Sequence, residues 1–161
     1  MHADKLLDDI GVQILTALQE NARVSFSELG RKVGLSSPAV AERVHRMEEA
    51  GYIGEYRAIV DLEKLGFPIT AFISVTASTG KLKEADEIVR TIPEVVEGYH
   101  LSGAEDILLK VVVASVGHLE SIINQIGNYG ETTTSIVLSS PVTSRLLTPV
   151  SPSGGPSLKD L

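Results

Sequence analysis

The hydrophobic period changes once along this 161-residue chain, and that change limits the fold more than any other feature. Up to Gly51, apolar residues recur every three or four positions, the spacing of amphipathic helices. Beyond Pro68, runs of β-formers alternate with amphipathic stretches. The pattern predicts an α+β protein with two unequal halves.

The first half, residues 1–51, is punctuated for three helices. Asp8 and Asp9 precede Ile10, Ile14, Leu15 and Leu18, and an aspartate side chain can accept from the free N–H groups of a first turn. Asn21 ends that segment. Ser25-Phe26-Ser27-Glu28 is a capping box, in which serine and glutamate each reach a free backbone donor. Leu29 and Val33 face inward on the short helix that follows, and Gly34 permits a left-handed stop. Ser36-Ser37-Pro38 opens the third helix, with serine as cap and proline at a position that has no N–H to lose. Val40, Val44 and Met47 form its inner stripe, and Gly51 closes it.

Short turns joining three such helices predict a helix-turn-helix, whose last helix enters a DNA major groove. With Val40, Val44 and Met47 inward, the outer arc of that helix holds Pro38, Glu42, His45, Arg46 and Glu49, flanked by Ser37, Ala41 and Arg43. The chain carries a net charge of −7, which argues against a general nucleic-acid coat. Residues 21–47 are locally positive all the same: Arg23, Arg31, Lys32, Arg43 and Arg46 outnumber Glu28 and Glu42 by 3. Only the field at the contact face bears on binding. Arg23, Arg31, Lys32 and the Ser36 cap suit phosphate contact, and the exposed side chains of the third helix suit base edges. The bland alternative is a three-helix unit with an ordinary solvated face; charge alone does not separate the two, and the capping and spacing favour DNA.

Residues 52–67 read as a short hairpin, which would make a winged unit, or as an extended connector. Residues 68–141 then hold two strand–helix–strand units. Ile69–Thr76 and Ile107–Ala114 read as strands. Helices follow each, lined by Leu82, Ala85, Ile88, Val89 and Ile92, and by Leu119, Ile122, Ile123 and Ile126. Val95–Leu101 and Thr132–Ser139 close the units. Tandem units of this kind predict a ferredoxin-like βαββαβ domain. Two helices cover one face of its sheet, which leaves Leu108, Val112, Phe72, Ile136 and Leu138 toward water. A patch of that kind predicts a two-fold homodimer through the sheets. The Pro/Ser/Gly-rich residues 149–161 predict a disordered tail.

Catalytic and metal constellations are poor. The chain has no cysteine, and its four histidines show no metal-ligand spacing. Neither a nucleophile elbow, a P-loop nor a dinucleotide fingerprint occurs. No catalytic residue, metal or cofactor is assigned. No apolar run approaches the roughly 20 residues of a membrane helix, and the N-terminus lacks a signal-peptide core, so the expected location is cytoplasmic. Ser102-Gly103 and Glu105-Asp106 lie between two strands. They could form a ligand-binding turn or a plain polar β-turn, and residue pattern alone favours the plain turn. Thr132-Thr133-Thr134-Ser135 likewise reads first as strand-forming sequence.

Taken together, these residues resemble the Lrp/AsnC (leucine-responsive, feast/famine) transcription regulators. The resemblance rests on Asp8-Asp9-Ile10 through Leu18, Asn21-Ala22-Arg23 through Leu29, and Val33-Gly34-Leu35-Ser36. It continues through Val40 to Ile53, Ile92-Pro93-Glu94-Val95, and Tyr99 to Leu109. It implies a DNA-binding regulator that dimerises by sheet packing, often assembles to octamers, binds a roughly palindromic operator, and takes an amino-acid effector between dimers. The effector residues it implies are Ser102, Gly103 and Asp106, with Tyr99, His100 and Thr132–Ser135 around them. Ala104-Glu105 departs from the aromatic or basic residue often found in that turn. Two alternatives stand beside this: an effector-sensing scaffold without DNA binding, and a sirohaem-decarboxylase-like enzyme. The second is disfavoured because beyond Pro68 there are only six Lys/Arg and two histidines to meet a polycarboxylate.

Overall fold

A computed structural model describes residues 5–148. The tail expected at 149–161 lies outside the described residues. The described residues divide into two compact units: 5–58 with 142–148, and 59–141.

In the first unit a 3-10 turn, Lys5–Leu7, leads into α1 (Asp9–Glu20), α2 (Phe26–Val33) and α3 (Ser37–Glu49). Each helix starts on a side-chain cap. Asp8 accepts from the Gly11 N–H at 2.8 Å, Ser25 from Glu28 at 3.1 Å and Ser36 from Ala39 at 3.4 Å. Gly34 sits at φ 74, the left-handed stop that glycine permits. Ile14, Leu29, Val40, Val44 and Met47 fill the core, all at most 2% exposed. Two helical glycines let chain pass close: a Cβ on Gly11 would stand 1.8 Å from the Leu6 carbonyl oxygen, and one on Gly30 2.5 Å from that of Leu35. No strand occurs in residues 52–67, so the hairpin alternative fails and the three helices carry no β-wing. The backbone N–H groups of Tyr52 and Ile53 donate to the Met47 carbonyl at the end of α3, at 2.9 and 3.3 Å, and not across a hairpin. Tyr56 instead donates to Glu48 on α3 at 2.9 Å.

The second unit is β1 (Ile69–Ala77), α4 (Leu82–Thr91), β2 (Val95–His100), β3 (Ile107–Val113), α5 (Val116–Gly127) and β4 (Gly130–Ile136). The sheet order is β2-β3-β1-β4, antiparallel throughout, as expected of the ferredoxin-like pattern. Ala71, Ile73, Val75, Leu109, Val111 and Val113 point to one face and are fully buried with Ala85, Leu119, Ile122 and Ile126 of the helices.

Four expectations for this unit need correction. Leu82 is 39% exposed, at the very start of α4 where the helix lies beyond the core. Ile136 pairs with Ala71, so alternation puts it on the helix-covered face and not the open one. Leu138 lies past the end of β4 and is 95% exposed. Val112 belongs to the open face, yet is only 4% exposed. The open face therefore presents half-buried Phe72 and Leu108 at its centre. It is also partly charged: Lys110 bridges to Glu97 at 2.8 Å, and Tyr99 donates to Glu97 at 2.6 Å.

Candidate DNA interface and effector site

The third helix presents the surface that its sequence pattern predicts. Ser36, Ser37, Pro38, Glu42, His45, Arg46 and Glu49 are exposed, while Ala41 and Arg43 are half-buried at the flanks. Arg23 and Arg31 are exposed on the loop before α2 and on α2 itself. Among the described residues neither they nor Arg46 has an acidic partner within ion-pair distance. Such cations are free to meet phosphate. Lys32 is also exposed and lies 3.4 Å from Glu20. His45 lies between two carboxylates, 3.8 Å from Glu48 and 3.3 Å from Glu49.

Arg43 stands apart. Its two terminal nitrogens grip the Asp8 carboxylate at 2.7 and 2.6 Å, a bidentate pair joining α3 to the start of α1. The guanidinium hydrogen bond, then the Gly11 N–H, hold the Asp8 carboxyl down at about 2. The same contact pushes Arg43 further up. One aspartate thus caps α1 and clamps α3. Treating Arg43 as an uncommitted DNA contact misses this, because Asp8 is 35 residues away in sequence. Tyr56, pushed up to about 12 by burial and by the adjacent Glu48, is a second anchor outside the expected set.

The expected effector residues are divided by the sheet. Tyr99 and His100 lie on β2, and Thr132, Thr133, Thr134 and Ser135 on β4. β2 and β4 are the two sheet edges, roughly 14 Å apart at about 4.8 Å per strand. The faces differ as well. His100 and Gly98 share the helix side, where His100 meets Asp86 of α4 at 2.8 Å. Tyr99 points to the open side. Thr132 and Thr134 pair with Val75 and Ile73 and share their buried face; Thr133 and Ser135 share the open one. One subunit therefore does not bring these residues together around one small molecule. A cavity of about 320 Å³ does lie between α4 and β2, lined by Asp86, Arg90, Glu97, Tyr99 and His100 among others.

Ser102 and Gly103 are exposed in the turn between β2 and β3, and a Cβ on Gly103 would meet nothing within 4 Å. Asp106 has structural work. Its Oδ2 accepts from the Ala77 N–H at 2.8 Å, its own N–H donates to Val75 at 2.9 Å, and its carbonyl accepts from Leu101 at 2.9 Å. It ties the turn to the end of β1, next to Thr132 and Glu131 on β4.

This architecture has relatives. Residues 7–48 match the family model of the AsnC-type helix-turn-helix domain, and residues 70–147 that of the Lrp/AsnC ligand binding domain. The chain belongs to the Lrp/AsnC family. The HTH-type transcriptional regulator LrpC of Bacillus subtilis is 34% identical over 133 residues, covering 83% of this chain and 92% of that protein. The solved structure of B. subtilis LrpC superposes with a TM-score of 0.81 at 33% identity, covering 86% and 99% of the two chains. A feast or famine regulatory protein of M. tuberculosis, solved in complex with L-methionine, gives a TM-score of 0.82 at 32% identity, covering 89% and 99%. As an Lrp/AsnC protein this chain is an HTH-type transcription regulator. No helix among its described residues is long and apolar enough to cross a membrane.

Proposed function

We propose that this regulator is a cytoplasmic homo-oligomer that reads a roughly palindromic operator and answers to a free amino acid. The observation that carries the DNA half is the exposed outer arc of α3, with Arg46 on it and Arg23 and Arg31 close in sequence, none of them ion-paired among the described residues. In this reading Ser37, Pro38, Ala41, Glu42, His45 and Arg46 face bases, and Arg23, Arg31, Lys32 and Ser36 hold phosphates. Arg43 aims the helix through Asp8 and contributes to the interface from its flank.

Dimerisation is assigned to the open sheet face. Phe72 and Leu108 need cover, and the Lys110–Glu97–Tyr99 network supplies a polar rim of the kind interfaces carry. A two-fold dimer presents two recognition helices and so favours paired half-sites. Octamers would follow from dimers associating around the effector.

The effector assignment rests on the divided sheet. Residues on opposite edges can meet one ligand when edges from different subunits approach, and in this reading Ser102, Gly103 and Asp106 contribute to such a shared site. The solved L-methionine complex of a relative supports an amino acid as the ligand class. Asp106 or carbonyl groups would take the ammonium, and N–H groups near Gly103 the carboxylate. The role is regulatory and requires neither catalysis nor cofactor.

The test is a footprint on the DNA upstream of its own gene, with the native chain and Arg46→Ala. Two protected half-sites about one or more helical turns apart, lost in the variant, are expected. Protection that survives Arg46→Ala unchanged refutes the assigned face. No protection in either case returns the weight to a scaffold without DNA binding.

A further inference from the structure

The second unit ends at Pro141, and the chain then returns to the helix-turn-helix unit, to which Val142–Thr148 belongs. Gln19, one residue from the end of α1, receives it. The Gln19 Nε2 donates to the Leu147 carbonyl at 2.9 Å, and the Oε1 accepts from the Leu147 N–H at 3.0 Å. This is the double exchange one strand residue makes with another. It grips main chain, and the Leu147 side chain remains 73% exposed. A groove of about 650 Å³ adjoins the grip. Leu15 and Leu18 of α1 line it, with Ile53 and Tyr56 from beyond α3, and Leu147 and Thr148 line it too. Leu147 and Thr148 thus form one wall of the groove, held against α1 through main chain by Gln19.

Two passages of chain thus join the units, at Ala58–Ile59 and at Pro141–Val142. The second is continuous with β4, which carries Thr132–Ser135. We propose that Val142–Thr148 is a strap, that Gln19 is the positioning residue holding it, and that the strap restricts reorientation of the helix-turn-helix unit when two half-sites are engaged. This rests on the paired half-site reading above. On one connector a second recognition helix finds its half-site at low effective concentration and accepts many spacings. A second tether concentrates it at one geometry and penalises the others.

The test uses the full chain, Gln19→Ala and a chain ending at Pro141. Alanine has a higher helix propensity than glutamine, so α1 persists in the first variant. Each protein is titrated on three DNAs: the natural operator, the operator with half a helical turn inserted between half-sites, and a single half-site. The native chain is expected to lose on the order of 30-fold on the insertion, and both variants about threefold. Single half-site affinity stays within about twofold in all three proteins. An insertion penalty as large in the variants as in the native chain overturns the strap. So does a variant loss that is equal on all three DNAs, which marks a merely structural role. Dissociation of the shortened chain to monomers in sedimentation also overturns it, by assigning the segment to a partner copy. If the native chain is itself indifferent to spacing and half-site number, the paired half-site reading fails and takes the strap with it.

Discussion

Replacing Asp8 by asparagine separates the two tasks of that residue. Asparagine keeps an oxygen for the Gly11 N–H and caps helices about as well as aspartate. It removes the charge that holds Arg43. The folded chain keeps the Asp8 carboxyl at about 2 against an ordinary 3.8, a difference worth about 2.4 kcal/mol at full strength. Asp8 is 45% exposed and Arg43 24%, so screening by water reduces the expected value to about 1 kcal/mol. Because the folded pKa is depressed, this contribution is complete above about pH 4 and is lost as pH falls through about 2. Asp8→Asn should therefore lower the Tm of the helix-turn-helix unit by about 4–8 °C at pH 7, and by half that or less at pH 2. Circular dichroism melts of both proteins at the two pH values measure it. Arg43→Met should cost a similar amount, and the double variant little more than either single one. Equal melting at pH 7, or a gap undiminished at pH 2, would refute the ion pair as the clamp.

Three further outcomes follow from the same geometry. Arg46→Ala should weaken operator binding by about tenfold or more while leaving Tm unchanged, since Arg46 is exposed and has no ion-pair partner among the described residues; a calorimetric melt beside a mobility shift checks both. Gly30→Ala places a methyl 2.5 Å from the Leu35 carbonyl oxygen and should destabilise the turn between α2 and α3 by about 2–3 kcal/mol in denaturant unfolding. Asp106→Asn keeps an oxygen for the Ala77 N–H and should cost under about 1 kcal/mol, yet abolish an amino-acid response if its charge meets the ammonium; an unaltered ligand titration removes Asp106 from the site.

The parts that were legible in sequence are the locally determined ones. Asp8, Ser25 and Ser36 declare helix starts because a cap acts within three residues, and Gly34 declares a stop because few other residues take its φ. Val40, Val44 and Met47 reveal the inner face of α3 by spacing alone, and the outer face follows by exclusion. What was not legible is set by partners far along the chain. The Arg43–Asp8 pair and the Gln19–Leu147 grip span 35 and 128 residues. Tyr99 and Thr133 look like neighbours in function until strand order puts them on opposite edges. Ile136 has the same composition signal as Leu108, and only register decides which face each one takes. The charged network on the open face had one available clue. Alternation from Ile107 puts Lys110 on the same side as Leu108, so that face could not be wholly apolar.

The most direct test of the account is a mobility shift on the DNA upstream of its own gene, run across a salt series with and without a mixture of the twenty amino acids. A specific complex is expected whose affinity falls steeply with salt, as phosphate contacts by Arg23, Arg31 and Arg46 require, and which shifts when the mixture is added. A complex indifferent to the mixture would contradict the effector half and leave the Gly103–Asp106 turn a structural feature. No specific complex at any salt would contradict the assignment of α3 as a reader of DNA in this chain.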